Sequence, residues 1–106
     1  MPTEKEKMLA GEYYDATDPQ LVSERRHARK LTLAFNDTSA EDGKIRKQLL
    51  TDLFGHLGQK STIEPPFYCD YGSNIFLGDT VFFNFNCVVL DVCKVEIGSR
   101  TLFGPN

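Results

Sequence analysis

Residues 75–106 read IFLGDTVFFNFNCVVLDVCKVEIGSRTLFGPN, and an apolar residue returns in this stretch at a step of six. The step has five anchors, with a two-residue insertion near Lys94: Leu77, Phe83, Val89, Ile97 and Phe103. The residue two places before each anchor is also apolar or small, so both are expected to face one interior. Neither the helical period of 3.6 nor the strand period of 2 explains this spacing. It indicates short strands separated by regular corners.

Glycine follows three of the anchors, at Gly78, Gly98 and Gly104. We expect the chain to turn a tight corner there, where it needs a residue without a Cβ. Such short strands cannot bury their inner face alone, so successive coils must stack into a solenoid. The alternative is an ordinary antiparallel series of strands with turns at Gly78 and Gly98.

The composition limits the class of protein. The chain has 106 residues, 41% of them hydrophobic, which suffices for one modest core and a short appended element. With a formal net charge of -3 it lacks the excess of basic residues that nucleic acids and anionic membranes attract, so neither is an expected partner. It has no apolar run of signal-peptide or membrane-spanning length, and a soluble, cytoplasmic protein is therefore expected.

The three cysteines, Cys69, Cys87 and Cys93, form no C-x-x-C pair, so neither a disulfide framework nor a zinc site is expected. Cys69 and Cys87 fall on inward positions of the repeat. We expect them to be buried free thiols, because free cysteine packs as a small hydrophobic residue.

Residues 1–58 are predicted to form a small helical unit. Three helix starts are marked by capping signals: Thr3 with Glu6, Asp18 with Pro19, and Ser39 with Asp42. The second helix should run to about Phe35, and the third should end at Gly55. Because this unit has few apolar positions, we expect it to cover the first coil of the solenoid, which occupies residues 59–106.

Four segments together resemble the maltose and galactoside O-acetyltransferases, a branch of the hexapeptide-repeat acyltransferases. They are AGEYYDA from Ala10, FN at Phe35, IEPPFYCDYGSNIFLG from Ile63 and FNFNCVVLDVCKVEIG from Phe83. The resemblance covers essentially the whole chain. It implies an α+β fold dominated by β structure, in which the helical domain caps the first coils of a left-handed parallel β-helix.

The resemblance also implies a chemistry. Acetyl-coenzyme A (acetyl-CoA) donates an acetyl group to a sugar hydroxyl, without a metal, in a homotrimer whose active sites lie between adjacent subunits. A histidine removes the proton of the acceptor, and in this family it follows the GPN segment, which here ends at Asn106. No catalytic residue is therefore expected within these 106 residues, and as given they should be inactive alone.

The resemblance assigns six acceptor-binding positions: Asn84, Phe82, Asp70, Arg25, Asp15 and Asp91. Phe82 stands where the galactoside branch has a tyrosine, and Asp70 where it has a serine. The assignments of Asp15 and Asp91 are each offset by one residue, because the corresponding family positions are Ala16 and Val92 here.

Two other functions are alternatives to this interpretation. A non-catalytic structural or oligomerisation module would use the coils only as a packing surface. A zinc-dependent carbonic anhydrase with the same solenoid would need histidine ligands on its coils. His27 and His56 both lie before the predicted coils, which disfavours it.

Overall fold

A computed structural model describes all 106 residues as three helices followed by eight short strands. The helices are α1 (Glu4–Leu9), α2 (Pro19–Asn36) and α3 (Gly43–Leu53). The strands are β1 (His56–Leu57), β2 (Thr62–Ile63), β3 (Phe67–Cys69), β4 (Ile75–Leu77), β5 (Phe82–Phe83), β6 (Cys87–Val89), β7 (Val95–Ile97) and β8 (Leu102–Phe103). None of the helices combines the length and the apolar character that a membrane span requires.

The strands form three parallel sheets, in the orders β1-β4-β7, β2-β5-β8 and β3-β6. Phe83 lies opposite Ile63 of the coil before it and Phe103 of the coil after it. Residues paired between successive coils are 20 apart, as Ile63 and Phe83 are. One coil is thus three hexapeptides plus the two-residue insertion. The parallel pairing rules out the antiparallel alternative.

The first coil begins earlier than the predicted boundary at residue 59. Strand β1 pairs with β4, with Leu57 opposite Leu77, so a strand lies inside the segment assigned to the helical unit. Pairing starts directly after α3, because the Gly55 N–H already donates to the Ile75 carbonyl at 2.9 Å. Leu57, Ile63 and Cys69 continue the six-residue step backwards through this coil.

Two corner glycines, Gly58 and Gly78, are needed for close approach of the coils. A Cβ on Gly58 would lie 1.9 Å from the carbonyl oxygen of Gly78, and one on Gly78 would lie 2.7 Å from Ser99 N. The left-handed backbone instead occurs two residues later, at Lys60, Thr80 and Arg100, with φ of 59°, 56° and 63°. The prediction that the corner needs a residue without a Cβ is therefore confirmed at Gly78, whereas a Cβ on Gly98 or Gly104 would meet nothing within 4 Å. Gly58 and Gly78 leave room for the next coil.

A continuous core joins the coils to the helices. The Phe83 ring lies 5.8 Å from the Phe67 ring and 4.7 Å from the Phe103 ring, and Phe67 meets Phe54 at 5.6 Å. The same cluster includes residues of α2 and α3: Ala28, Phe35, Leu50 and Leu53. Burial declines along the stack, since Phe83 is 1% exposed and Phe103 is 39% exposed.

Asn36, the last residue of α2, closes the free edge of β3. Its side-chain amide donates to the Phe67 carbonyl at 3.0 Å, and its Oδ1 accepts from the Phe67 N–H at 2.8 Å. These are the two backbone groups that a preceding strand would otherwise bind. The helical unit therefore caps the first coil, as predicted.

Two of the three helix starts and the thiols also agree with the sequence analysis. The third start does not, because α3 begins only at Gly43 and its N-cap, Asp42, makes no side-chain capping bond. Thr3 and Glu6 form the capping box, and the Asp18 carboxylate accepts from the first amides of α2. Cys69 and Cys87 are free and buried. Burial, reinforced by nearby carboxylates, raises the pKa of the Cys69 thiol to about 12.

Candidate functional site

The predicted acceptor residues lie at two corners of the solenoid, one on each side of the β3-β6 sheet. Residues 84–86, the Asn84 corner, follow β5, and residues 70–74, the Asp70 corner, follow β3. Asn84 belongs to the first corner, and Phe82 precedes it on β5. Asp70, Asp91 and Arg25 gather at the second. No hydrogen bond joins the two groups within the chain.

Asp91 is fully buried at the Asp70 corner. Its Oδ1 accepts from the Asp70 N–H at 3.1 Å and the Tyr71 N–H at 2.9 Å, and its Oδ2 accepts from the Asn74 N–H at 3.2 Å. Desolvation raises the pKa of Asp91, and these amide bonds oppose the shift. A carboxylate with no exposed surface cannot contact a sugar directly. Asp91 therefore holds the backbone of the Asp70 corner in place and does not make the predicted contact with the acceptor.

Tyr71 connects this corner to α2. Its hydroxyl accepts a hydrogen bond from Arg25 Nη1 at 2.8 Å, and Arg25 Nη2 donates to the Ala16 carbonyl at 2.7 Å. Tyr71 is 5% exposed, and burial raises its pKa while Arg25 acts in the opposite direction. The half-buried guanidinium is thus held at two points beside the corner that contains Asp70.

Asp70 and Asp15 differ in how their carboxylates are engaged. The half-buried Asp70 carboxylate has no hydrogen-bond or ion-pair partner in the chain, so it is available to a ligand. The exposed Asp15 carboxylate accepts from the Thr17 N–H at 2.9 Å and the Thr17 hydroxyl at 2.6 Å, which lowers the pKa of Asp15. Asp15 adjoins Ala16 in sequence, so it lies near Arg25.

Asn84 lies at the other corner, and Phe82 lies just before it. The Asn84 Oδ1 accepts from the Phe85 N–H at 2.8 Å, and its own N–H donates to the Phe103 carbonyl at 3.0 Å. The left-handed residue of this corner is Asn86, with φ of 65°, so backbone conformation does not account for an asparagine at 84. Phe82 is half-buried on β5 and alternates with the inward Phe83.

The two corners flank an apolar outer face. Tyr68 on β3 and Val88 on β6 point away from the core and are exposed, and Phe85 and Leu90 extend the exposed apolar surface at either end of β6. Contiguous exposed apolar surface marks an interaction site in soluble proteins.

Sequence reasoning missed Tyr71 and Asn74, although both belong to the quoted segment YCDYGSN. Asn74 binds the Asp91 carbonyl through its side chain at 2.7 Å. The signal was Gly72 between them, which has φ of 74° and lies so close to α3 that a Cβ would meet Leu53 at 2.4 Å. A glycine under two constraints indicates a fixed corner.

The chain is similar to several proteins that are named acetyltransferases. The maltose acetyltransferase hexapeptide capping motif matches residues 7–58. Nodulation protein L of Rhizobium meliloti is 44% identical over 103 residues, which are 97% of this chain and 56% of that protein. The chain spans about half the length of the curated relatives it matches.

Two solved structures superpose on nearly the whole chain. A maltose O-acetyltransferase from Clostridium difficile has a TM-score of 0.97 and 46% identity, covering 99% of this chain and 56% of its own. A galactoside acetyltransferase in complex with coenzyme A has a TM-score of 0.93 and 32% identity, covering 100% and 52%. These likenesses confirm the predicted fold, a helical unit that caps a left-handed parallel β-helix.

Proposed function

We propose that this chain, a member of the maltose and galactoside O-acetyltransferase family, forms the acceptor-binding part of an enzyme that moves an acetyl group from acetyl-CoA to a sugar hydroxyl. The observation on which the proposal rests is the Asp70 corner, where the Asp70 carboxylate has no partner in the chain and the hydroxyl of the next residue, Tyr71, holds the Arg25 guanidinium. A sugar hydroxyl both donates and accepts hydrogen bonds. Asp70 would accept from it, and Arg25 would donate to it.

The donor is proposed from the similar structures. The galactoside acetyltransferase that superposes on this chain was solved with coenzyme A, which supports a coenzyme A thioester as the acyl donor. We also place the enzyme in the cytoplasm, on the sequence composition alone.

Direct attack by a sugar hydroxyl needs a general base within hydrogen-bond reach, and such a base contributes about 10² to 10⁴ in rate. Neither histidine present is suited to this role. His27 is exposed on α2 and His56 is exposed on β1, and neither hydrogen-bonds to an acceptor residue. We therefore propose that residues 1–106, tested alone, do not transfer acetyl groups.

We further propose a homotrimer with acceptor sites between subunits. The exposed apolar face formed by Tyr68, Val88, Phe85 and Leu90 lies between the Asp70 corner and the Asn84 corner. If this face packs around a threefold axis, the Asn84 corner of one subunit adjoins the Asp70 corner of the next. The two groups of acceptor residues, separate in one chain, would then share one site.

The test compares acetyl-CoA consumption by the protein expressed from its complete gene and by the 106-residue polypeptide, with maltose, glucose and a galactoside as acceptors. We expect transfer by the first only. Arg25→Met should lower kcat/KM for the acceptor without changing KM for acetyl-CoA. The matched control is Arg26→Met, an exposed neighbour on α2 without a hydrogen-bonded partner. A trimer from the complete gene that acetylates no sugar would favour the non-catalytic module instead.

A further inference from the structure

The Tyr71 hydroxyl is the only solenoid group that hydrogen-bonds to the Arg25 side chain. The other partner of Arg25, the Ala16 carbonyl, belongs to the exposed loop before α2. We propose that Tyr71 is a positioning residue, which sets the Arg25 guanidinium for acceptor binding, so that acceptor affinity depends on the phenol oxygen. This inference rests on the proposed function.

The position of Tyr71 is fixed from the solenoid side. Its N–H donates to the fully buried Asp91, whose carboxylate is held by two further amides. Its ring packs with Met8 and Leu21 in a small cluster under α1 and α2. The hydroxyl is therefore a rigid acceptor, and it meets a long side chain that would otherwise keep several rotamers.

The same buried carboxylate also sets the neighbouring acceptor residue. Asp91 Oδ1 binds the backbone N–H of Asp70 as well as that of Tyr71. Because Asp91 binds both amides, it positions the Asp70 carboxylate directly and the Arg25 guanidinium through the Tyr71 hydroxyl. Binding constellations need such support, because displacements of about 0.5 Å already weaken them.

The alternative is that Tyr71 serves only to fill the small core. Tyr71→Phe separates the two roles, since phenylalanine keeps the ring and loses only the oxygen that Arg25 binds. Tyr13→Phe is the matched control, because Tyr13 is fully exposed and makes no side-chain hydrogen bond.

The first measurement is steady-state kinetics on the protein from its complete gene. For Tyr71→Phe we expect KM for the sugar to rise about tenfold, the size expected for one lost hydrogen bond to a charged group, while KM for acetyl-CoA and the melting temperature stay near those of Tyr13→Phe. Arg25→Met should raise the same KM, and the double variant should be no worse than Arg25→Met alone, because the two residues act as one unit. An unchanged sugar KM in Tyr71→Phe, or fully additive effects, would overturn the proposal.

The second measurement does not depend on activity. Carbon-13 labelling of the tyrosine ring gives the titration of Tyr71 by NMR. Arg25 lowers the pKa of this phenol, so Arg25→Met should raise it, and Arg26→Met should leave it in place. If the complete protein acetylates no sugar, the proposed function fails, and this titration still reports whether the pair exists. If the pKa of Tyr71 were the same in Arg25→Met as in the unchanged protein, the positioning role would be refuted even in an active enzyme.

Discussion

Phe83 and Phe103 occupy the same position in successive coils, yet the first is 1% exposed and the second 39%. Phe83 has an aromatic ring on both sides, whereas Phe103 meets only Phe83. Ile63, the equivalent residue of the first coil, is also buried, because the helices cover the side where a coil is missing. Anchors at equivalent positions are therefore expected to contribute unequally to stability. The helices bury the anchor of the first coil as well as a neighbouring coil would.

The most direct test of this difference is to replace Phe83 and Phe103 separately by alanine in the 106-residue polypeptide. Phe83→Ala should lower the free energy of unfolding by about 3 to 5 kcal/mol, since it opens a cavity in a buried stack. Phe103→Ala should cost about 1 kcal/mol or less, because its ring is already partly in water. Urea unfolding followed by circular dichroism measures both. Similar losses for the two variants would show that burial is not what separates them.

A second pair tests the corners in the same way. Gly58→Ala places a Cβ against the Gly78 carbonyl, and overpacking against a backbone atom should cost about 1 to 3 kcal/mol. Gly98→Ala meets nothing within 4 Å, so it should be within about 0.5 kcal/mol of the wild type. The pair is measured by thermal unfolding. A neutral Gly58→Ala would mean that the coils can separate at this corner.

The smallest expected effect concerns the cap. Asn36→Ala leaves the Phe67 N–H and carbonyl without partners and should cost about 1 to 2 kcal/mol. Asn36→Asp keeps the acceptor and loses the donor, so its loss should be intermediate. Hydrogen exchange at the Phe67 amide provides the local readout. Unchanged protection there in Asn36→Ala would argue that the helices cover β3 without this side chain.

Most of the fold could be predicted because its cause is local. The six-residue step places the anchors, and the capping signals place the starts of α1 and α2, without knowledge of the rest of the chain. Strand β1 was missed because it follows α3 directly and because Cys69 and Leu77 are eight residues apart, which separates the first coil from the repeat that begins at Leu77. The role of the corner glycines depends on the next coil, which no single hexapeptide reveals.

The site was less predictable, since its contacts cross long stretches of sequence. Asp91 binds amides 17 to 21 residues away, so the sequence around it cannot say whether its side chain turns inward. Arg25 and Tyr71 are 46 residues apart. The resemblance placed Arg25 and Asp70 at the acceptor, and only the three-dimensional packing associates Tyr71 with them.

The Asn36 amide has a consequence beyond stability. A solenoid with an open strand edge at both ends could join end to end with other copies, and such head-to-tail contacts do not close, so they produce filaments. In this chain one side chain occupies the β3 edge and α2 covers the core behind it. Polymerisation through the β3 edge at this end is therefore disfavoured, and the cap gives the stack of coils a definite starting point.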